Sequence, residues 1–248
     1  MGSEMCIRDR LGMLDPFGTA AGRLRVPASG PPREEHPGWP ESTPSISLAP
    51  SRVLPEGGVL RLRPLMRGDG RDWRRQRVID EQYLRPVEPT IPTTWENAHS
   101  GNSWWNHLMF LRDNARMGSI IPLVIELDGQ FMGQVTLGNI QHGSIGECWI
   151  GYWVHSAVHR AGVATAACAL GVDHAFRRVG MHRVTATYLP ENPASGKVLK
   201  SCGFREEGYL RRNLHINGAW RDHYFVALNR EDFPNTAVAR LRAEGRLL

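Results

Sequence analysis

Apolar and polar residues alternate in Val59-Leu-Arg-Leu-Arg-Pro-Leu-Met66, which predicts a half-buried strand ending in a turn at Gly68-Asp-Gly70. From Asp72 to Leu84 the spacing of Trp73, Arg77, Ile79 and Tyr83 predicts an amphipathic helix with a charged outer face. Pro86, Pro89 and Pro92 then impose a loop, and a second helix over Ser103–Ala115 carries Trp104, Trp105, Leu108, Met109 and Leu111. Two alternating runs, Ile120–Leu127 and Gln130–Leu137, flank Asp128-Gly129, a strong short hairpin signal. A strand over Glu147–His155 extends the meander. It is followed by a helix over Val163–Val179, a strand over Arg183–Leu189 and a helix near Asn192–Cys202. The last two strands, Arg205–Ile216 and Trp220–Leu228, meet at Asn217-Gly218. Strands first and crossovers later imply an α+β sandwich, a largely antiparallel sheet flanked by helices.

Composition changes the picture mainly at the N-terminus. Nine of the 17 prolines lie in residues 1–56, among many Gly and Ser and without a sustained period. Such a segment buries too little apolar area to offset its ordering, so it is expected to be disordered. Its first ten residues read as an artefact of translated adapter. The folded domain is expected over 57–233, and 234–248 as a frayed or helical tail. The apolar fraction of 41% supports a sizeable core. No run approaches the roughly 18 apolar residues of a membrane helix, so a soluble protein without a membrane partner is expected.

The formal charge of +5 suits an anionic ligand better than broad nucleic-acid binding. Arg74, Arg75 and Arg77 read as a solvated helix face, with an acidic substrate or RNA as the other reading. Trp95, Trp104 and Trp105 read first as core and second as the wall of a substrate groove. Cys6, Cys148, Cys168 and Cys202 lack metal-site spacing and fit buried thiols in a reducing compartment. No metal is expected.

The candidate chemistry centres on Gly146–Phe176, an aromatic strand, a basic loop holding Gly162, and an alanine-rich helix. A helix start leaves about four backbone N–H groups unpartnered, and a glycine there lets an anion approach, so this is a natural pyrophosphate cradle. An ordinary strand-to-helix connection is the competing reading. Downstream come Asn192-Pro-Ala-Ser195, Gly203-Phe204 and Glu207-Gly208.

With the loop His159-Arg-Ala-Gly-Val-Ala164, this order resembles the GNAT acyl-CoA N-acyltransferases, in the branch of the ribosomal-protein N-terminal alanine acetyltransferases of the RimJ and RimL type. The likeness spans about Val59 to Phe233. It implies a three-layer α/β/α sandwich around a mostly antiparallel, splayed seven-stranded sheet, with acetyl-CoA as co-substrate. In that family the pantetheine arm slips between two splayed strands, an edge the resemblance places at Trp153, Val154 and His155. The pyrophosphate would rest on His159, Arg160, Ala161, Gly162, Val163 and Ala164, where His159 replaces the usual Gln or Arg. Asn192 matches the family's cofactor-touching Asn and equally suits a helix N-cap before Pro193. Ser195 matches a hydroxyl that reaches the thiol leaving group.

For the general base, Glu147 is the candidate, although by spacing Cys148 matches the position more closely, and one residue flips the face of a strand. Leu199 stands where some relatives carry an acid Tyr; Asp222 and His223 are further candidates. The reaction implied is direct attack of a neutral amine on the acetyl thioester in a ternary complex. The expected acceptor is a protein or peptide N-terminus, ribosomal proteins being one class, in a cytoplasmic monomer or homodimer. A small-molecule amine or antibiotic acetyltransferase, and a non-catalytic acyl-CoA-binding protein, are the alternatives.

Overall fold

The computed structural model describes residues 38–232 and 234–248. Its strands are β1 (Ile46–Leu48), β2 (Gly58–Pro64), β3 (Ile120–Leu127), β4 (Gln130–Gln141), β5 (Glu147–Val154), β6 (Arg183–Tyr188), β7 (Arg205–Ile216) and β8 (Ala219–Asn229). The helices are α1 (Gly70–Ile79), α2 (Glu81–Leu84), α3 (Trp95–Ala98), α4 (Gly101–Arg116), α5 (Val163–His174), α6 (Pro193–Ser201) and α7 (Ala237–Ala243). A π-helical turn over Ala175–Val179 prolongs α5.

The strands form one sheet in the order β1-β2-β3-β4-β5-β6-β8-β7. Every neighbouring pair is antiparallel except β5 and β6. Both hairpin turns put two consecutive residues at positive φ, Asp128 (49°) with Gly129 (79°) and Asn217 (42°) with Gly218 (86°). That is the primed turn whose twist matches paired strands, and it fixes the β3–β4 and β7–β8 registers.

One face of the sheet carries α5, α6 and α7 over a core that includes Leu62, Ile125, Leu137, Ile150, Leu170 and Val184. Helix α5 lies close to the sheet because Gly171 has no side chain there; a Cβ would come within 2.9 Å of Ile150 and 3.0 Å of Val135. The opposite face carries α1 and α4 over a second cluster containing Trp73, Trp104, Leu108, Val124 and Phe131. Ser100 caps α4 by accepting from the Ser103 N–H at 3.2 Å.

The sheet has eight strands rather than seven, and the additional one, β1, lies within the segment expected to be disordered. Ile46 and Leu48 are buried by pairing with β2, and Glu41 is buried against Arg178 at 3.0 Å and His174 at 3.2 Å. Sparse apolar residues thus gain order from a sheet edge and a buried ion pair, which composition does not register. Residues 1–37, including the ten read as artefact, lie outside the described residues.

The C-terminal segment is also part of the core. Ala237, Val238 and Leu241 are buried, the Asp173 carboxylate accepts from the N–H groups of Ala237 (2.7 Å) and Val238 (3.1 Å), and Leu247 bridges to Leu48. Order therefore extends beyond both ends of 57–233, though Phe233 itself is outside the described residues.

The single helix expected over Asp72–Leu84 is divided at Asp80 into α1 and α2, and its faces differ from those expected. Ile79 and Tyr83 are exposed, while Arg77 is buried, pairs with Glu88 and lies over the rings of Trp73, Trp95 and Trp153. Trp95 and Trp104 are core, and Trp105 is exposed.

Candidate active site

The parallel ladder between β5 and β6 holds only at Glu147 with Arg183, Cys148 with Val184, and Trp149 with Thr185. Beyond Trp149 the strands separate, β5 running on to Val154 and β6 to Tyr188. The result is a slot in the middle of the sheet whose edges carry unspent backbone groups.

Hydrogen-bond parity decides which groups face it. The His155 N–H donates to the Met132 carbonyl at 2.9 Å, while Val154 stands opposite Gly133. Val154 and Gly133 are therefore a non-hydrogen-bonded antiparallel pair, and both backbone groups of Val154 turn away from β4 into the slot. The period of two gives the same direction to Tyr152 and directs Trp153 toward β4. Of the three residues expected at this edge, only Val154 presents its backbone to the opening. Tyr152 was missed; the register of the β4–β5 pair is the information that identifies it.

The loop after β5 begins with a 3-10 turn over Ser156–Val158 and ends with Arg160 (φ 62°) and Gly162 (φ 78°) in the left-handed region. Gly162 is the α5 N-cap, and a Cβ there would meet no heavy atom within 4 Å. Ala161 and Val163 are buried, Ala164 is half-buried, and Arg160 is exposed. The first-turn N–H groups of α5 thus open onto free space beside a cationic side chain, which suits an anion. His159 is exposed, and its ring turns back toward β5. Its Nε2 donates to the Val154 carbonyl at 3.1 Å, and its ring lies edge-on to Tyr83.

On the far side of the slot, Asn192 caps α6 by accepting from the Ser195 N–H at 3.3 Å, with Pro193 at the first helical position. The Tyr152 hydroxyl lies 3.1 Å from Ser195 Oγ and donates to the Ser195 carbonyl at 3.2 Å. This contact crosses the slot from β5 to α6. Burial pushes the Tyr152 phenol well above its ordinary pKa, so it stays a neutral donor.

Glu147 sits at the closed end of the ladder. Its carboxylate is 3.2 Å from Arg183 Nε and 3.5 Å from Thr185 Oγ1. Those partners fix the carboxylate beside Arg183. Cys148 points into the core, where burial pushes its thiol up to about 12. Leu199 is buried. Asp222 accepts from the Arg212 N–H at 2.7 Å and from Tyr209 at 3.1 Å, and buried His223 has its pKa lowered by desolvation. Among the described residues, no group of three or more His, Cys, Asp and Glu could hold a metal, and no helix is long and apolar enough to cross a membrane.

The loop after α2 is tied to the β7–β8 hairpin. The Thr90 N–H donates to the His215 carbonyl at 2.9 Å, the Gly218 N–H to Thr90 Oγ1 at 2.7 Å, and the Asn217 N–H to the Glu88 carbonyl at 3.3 Å. Below it, His99 accepts from Arg77 Nε at 2.8 Å; burial and the Arg77 charge push its pKa down to about 3. Asp80, between α1 and α2, accepts from His155 and Ser156 at the mouth of the loop, and nothing in its sequence context marked it.

Comparison with known proteins agrees with the fold. The acetyltransferase (GNAT) domain family matches residues 60–205. RimJ of Mycobacterium smegmatis, solved in complex with CoA-disulfide, is 45% identical with a TM-score of 0.81, over 86% of this chain and 98% of that one. The ribosomal protein uS5-alanine N-acetyltransferase of Escherichia coli is 29% identical over 157 residues, 62% of this chain and 79% of that protein. The probable N-acetyltransferase YjcK of Bacillus subtilis is 38% identical over 105 residues, 42% of this chain. That match spans 58% of YjcK, less than two thirds of its length.

Proposed function

The chain belongs to the GNAT acetyltransferase family, an acyltransferase family, and from that premise we propose that it transfers acetyl from acetyl-CoA to the α-amine of a protein N-terminus, ribosomal proteins being the acceptor class. One observation carries the reading: the β5–β6 slot, with the Val154 backbone turned into it, runs to the open N-terminus of α5 at Gly162. The similarity to RimJ and to the uS5-alanine enzyme supports the acceptor class.

The residues fit the co-substrate, since the αL glycine leaves open the space a diphosphate needs and the slot offers the hydrogen bonds of a missing strand. Acetyl-CoA supplies the activated thioester. Backbone N–H groups at Gly162–Ala164 and the Arg160 guanidinium hold the diphosphate. The Val154 and Tyr152 backbone groups hold the extended arm, and the Val154 N–H is placed to stabilise an oxyanion. Ser195, hydrogen-bonded to Tyr152, donates toward the departing thiolate. The amine loses its proton to solvent, since Glu147 is paired with Arg183 and Asp222 with Tyr209 and the Arg212 N–H.

The test is a calorimetric titration with acetyl-CoA followed by turnover on N-terminal peptides, lysine peptides and aminoglycosides. Saturable binding with turnover on the first group is the expected result. Binding without turnover on any amine would leave a sensor rather than an enzyme, and no binding would remove the reading.

A further inference from the structure

Asp80 joins the two halves of the site. It is 1% exposed, at the junction of α1 and α2 on the side of the sheet opposite α5. Its Oδ2 accepts from His155 Nδ1 at 2.7 Å and from the Ser156 N–H at 2.9 Å, and its Oδ1 accepts from Ser156 Oγ at 2.5 Å. Burial would raise its pKa, but the bonds from His155 and Ser156 outweigh that and hold it below the usual value, so the carboxylate is ionised at neutral pH. An ionised carboxylate only accepts, so the proton of the His155 contact sits on Nδ1.

His155 and Ser156 are the corner at which β5 leaves the sheet for the cradle loop. One side of this corner is tied to β4 through the His155 N–H and Met132. Asp80 ties the other side. The helix pair around it is fixed in turn, with Gln76 donating to the Phe131 carbonyl at 2.6 Å and Tyr83 against the His159 ring. A shift at Asp80 therefore moves Val154 and the start of the loop together, and misplacements of about 1 Å can cost on the order of 100-fold in rate.

We propose that Asp80 is a positioning residue for the acyl-CoA slot: by holding His155 and Ser156 it aims the Val154 peptide groups into the opening. The proposal rests on the acetyl-CoA reading above. A carboxylate serving stability alone would alter melting temperature without changing how the folded enzyme discriminates between its two substrates.

The experiment uses the full chain as wild type, Asp80→Asn and Ser156→Ala, with acetyl-CoA and an N-terminal alanine peptide as probes. The expected result for Asp80→Asn is a KM for acetyl-CoA raised about tenfold or more and a kcat lowered about tenfold or more, with the peptide KM within about threefold. The 15N signal of His155 Nδ1 should also move, because the carboxylate that accepts its proton is replaced by an amide. Unchanged KM and unchanged imidazole signals would overturn the proposal, as would equal loss in all parameters in step with the folded fraction. If Asp80→Asn does not fold, Ser156→Ala decides: a KM for acetyl-CoA raised about threefold supports the proposal, and an unchanged one overturns it. Wild-type protein that fails to bind acetyl-CoA would instead overturn the functional reading beneath it.

Discussion

The imidazole of His159 donates from Nε2 to the carbonyl of Val154 over 3.1 Å, so the side chain that replaces the family's usual Gln or Arg fills part of the slot edge itself. A hydrogen bond of this kind contributes about 0.5–1.5 kcal/mol net. His159→Ala should therefore lower the melting temperature of the free protein by about 1–6 °C. With saturating acetyl-CoA the difference should narrow, because the carbonyl regains a partner. Thermal melts of both proteins with and without acetyl-CoA check this, and a gap that widens on binding would contradict it.

Gly162 separates backbone from ligand effects. Its φ of 78° strains any L residue, while the space around its missing Cβ is empty. Gly162→Ala should lose about 1–2 kcal/mol from left-handed strain and weaken acetyl-CoA affinity less than a charged side chain does. Gly162→Asp should lose a similar amount of stability and, by placing a carboxylate at the diphosphate position, weaken affinity at least about tenfold, some 1.4 kcal/mol. Denaturant melts and calorimetry on both variants measure the two effects.

Residues 38–56 of the expected N-terminal extension are structural, and truncations locate the boundary. A chain beginning at Gly38 retains β1 and the Glu41 contacts; one beginning at Gly57 lacks both. The shorter chain should melt several degrees lower. Burial would raise the Glu41 pKa from 4.5, but the bonds from His174, Arg178 and the Gly38 N–H hold it lowered. A carboxyl with a depressed folded pKa stabilises above its unfolded value and loses that contribution as pH falls through the folded one. The difference between the two truncations should thus be full at pH 6 and shrink below about pH 4.

The Tyr152 to Ser195 contact predicts a kinetic signature. Ser195→Ala and Tyr152→Phe should each lower kcat by about tenfold with little change in the KM for acetyl-CoA. Because burial raises the Tyr152 pKa, its ionisation should not appear in the pH–rate profile below about pH 10. A new basic limb lost in Tyr152→Phe would contradict that assignment.

Local signals carried most of the strand and helix order. Asp128-Gly129 and Asn217-Gly218 specify their turns by backbone chemistry, and Gly162 lies at the N-cap its loop implied. What escaped were relations set by register and burial. Trp153 and His155 are adjacent to Val154 in sequence, yet only pairing with β4 shows that their backbone groups face away from the slot. Arg77 carries the same charge as exposed Arg74, but three tryptophan rings and Glu88 bury it. Glu147 has the right residue type for a base, and its pairing with Arg183 arises from a β5–β6 contact 36 residues apart in the chain, which no local pattern encodes.

The central claim is transfer to an α-amine, and proton arithmetic makes it directly measurable. A protein α-amino group with a pKa of about 7.7–8.0 is on the order of one tenth neutral at pH 7, whereas lysine near 10.4 is less than about one thousandth neutral. A site whose expected base is tied to Arg183 gains most from an amine that is already partly neutral. The deciding measurement is the rate of acetyl transfer at neutral pH to matched peptides, one with a free N-terminal alanine or serine and one blocked there with an internal lysine. The account predicts a kcat/KM at least about tenfold higher for the free N-terminus. Faster acetylation of the internal lysine would contradict it.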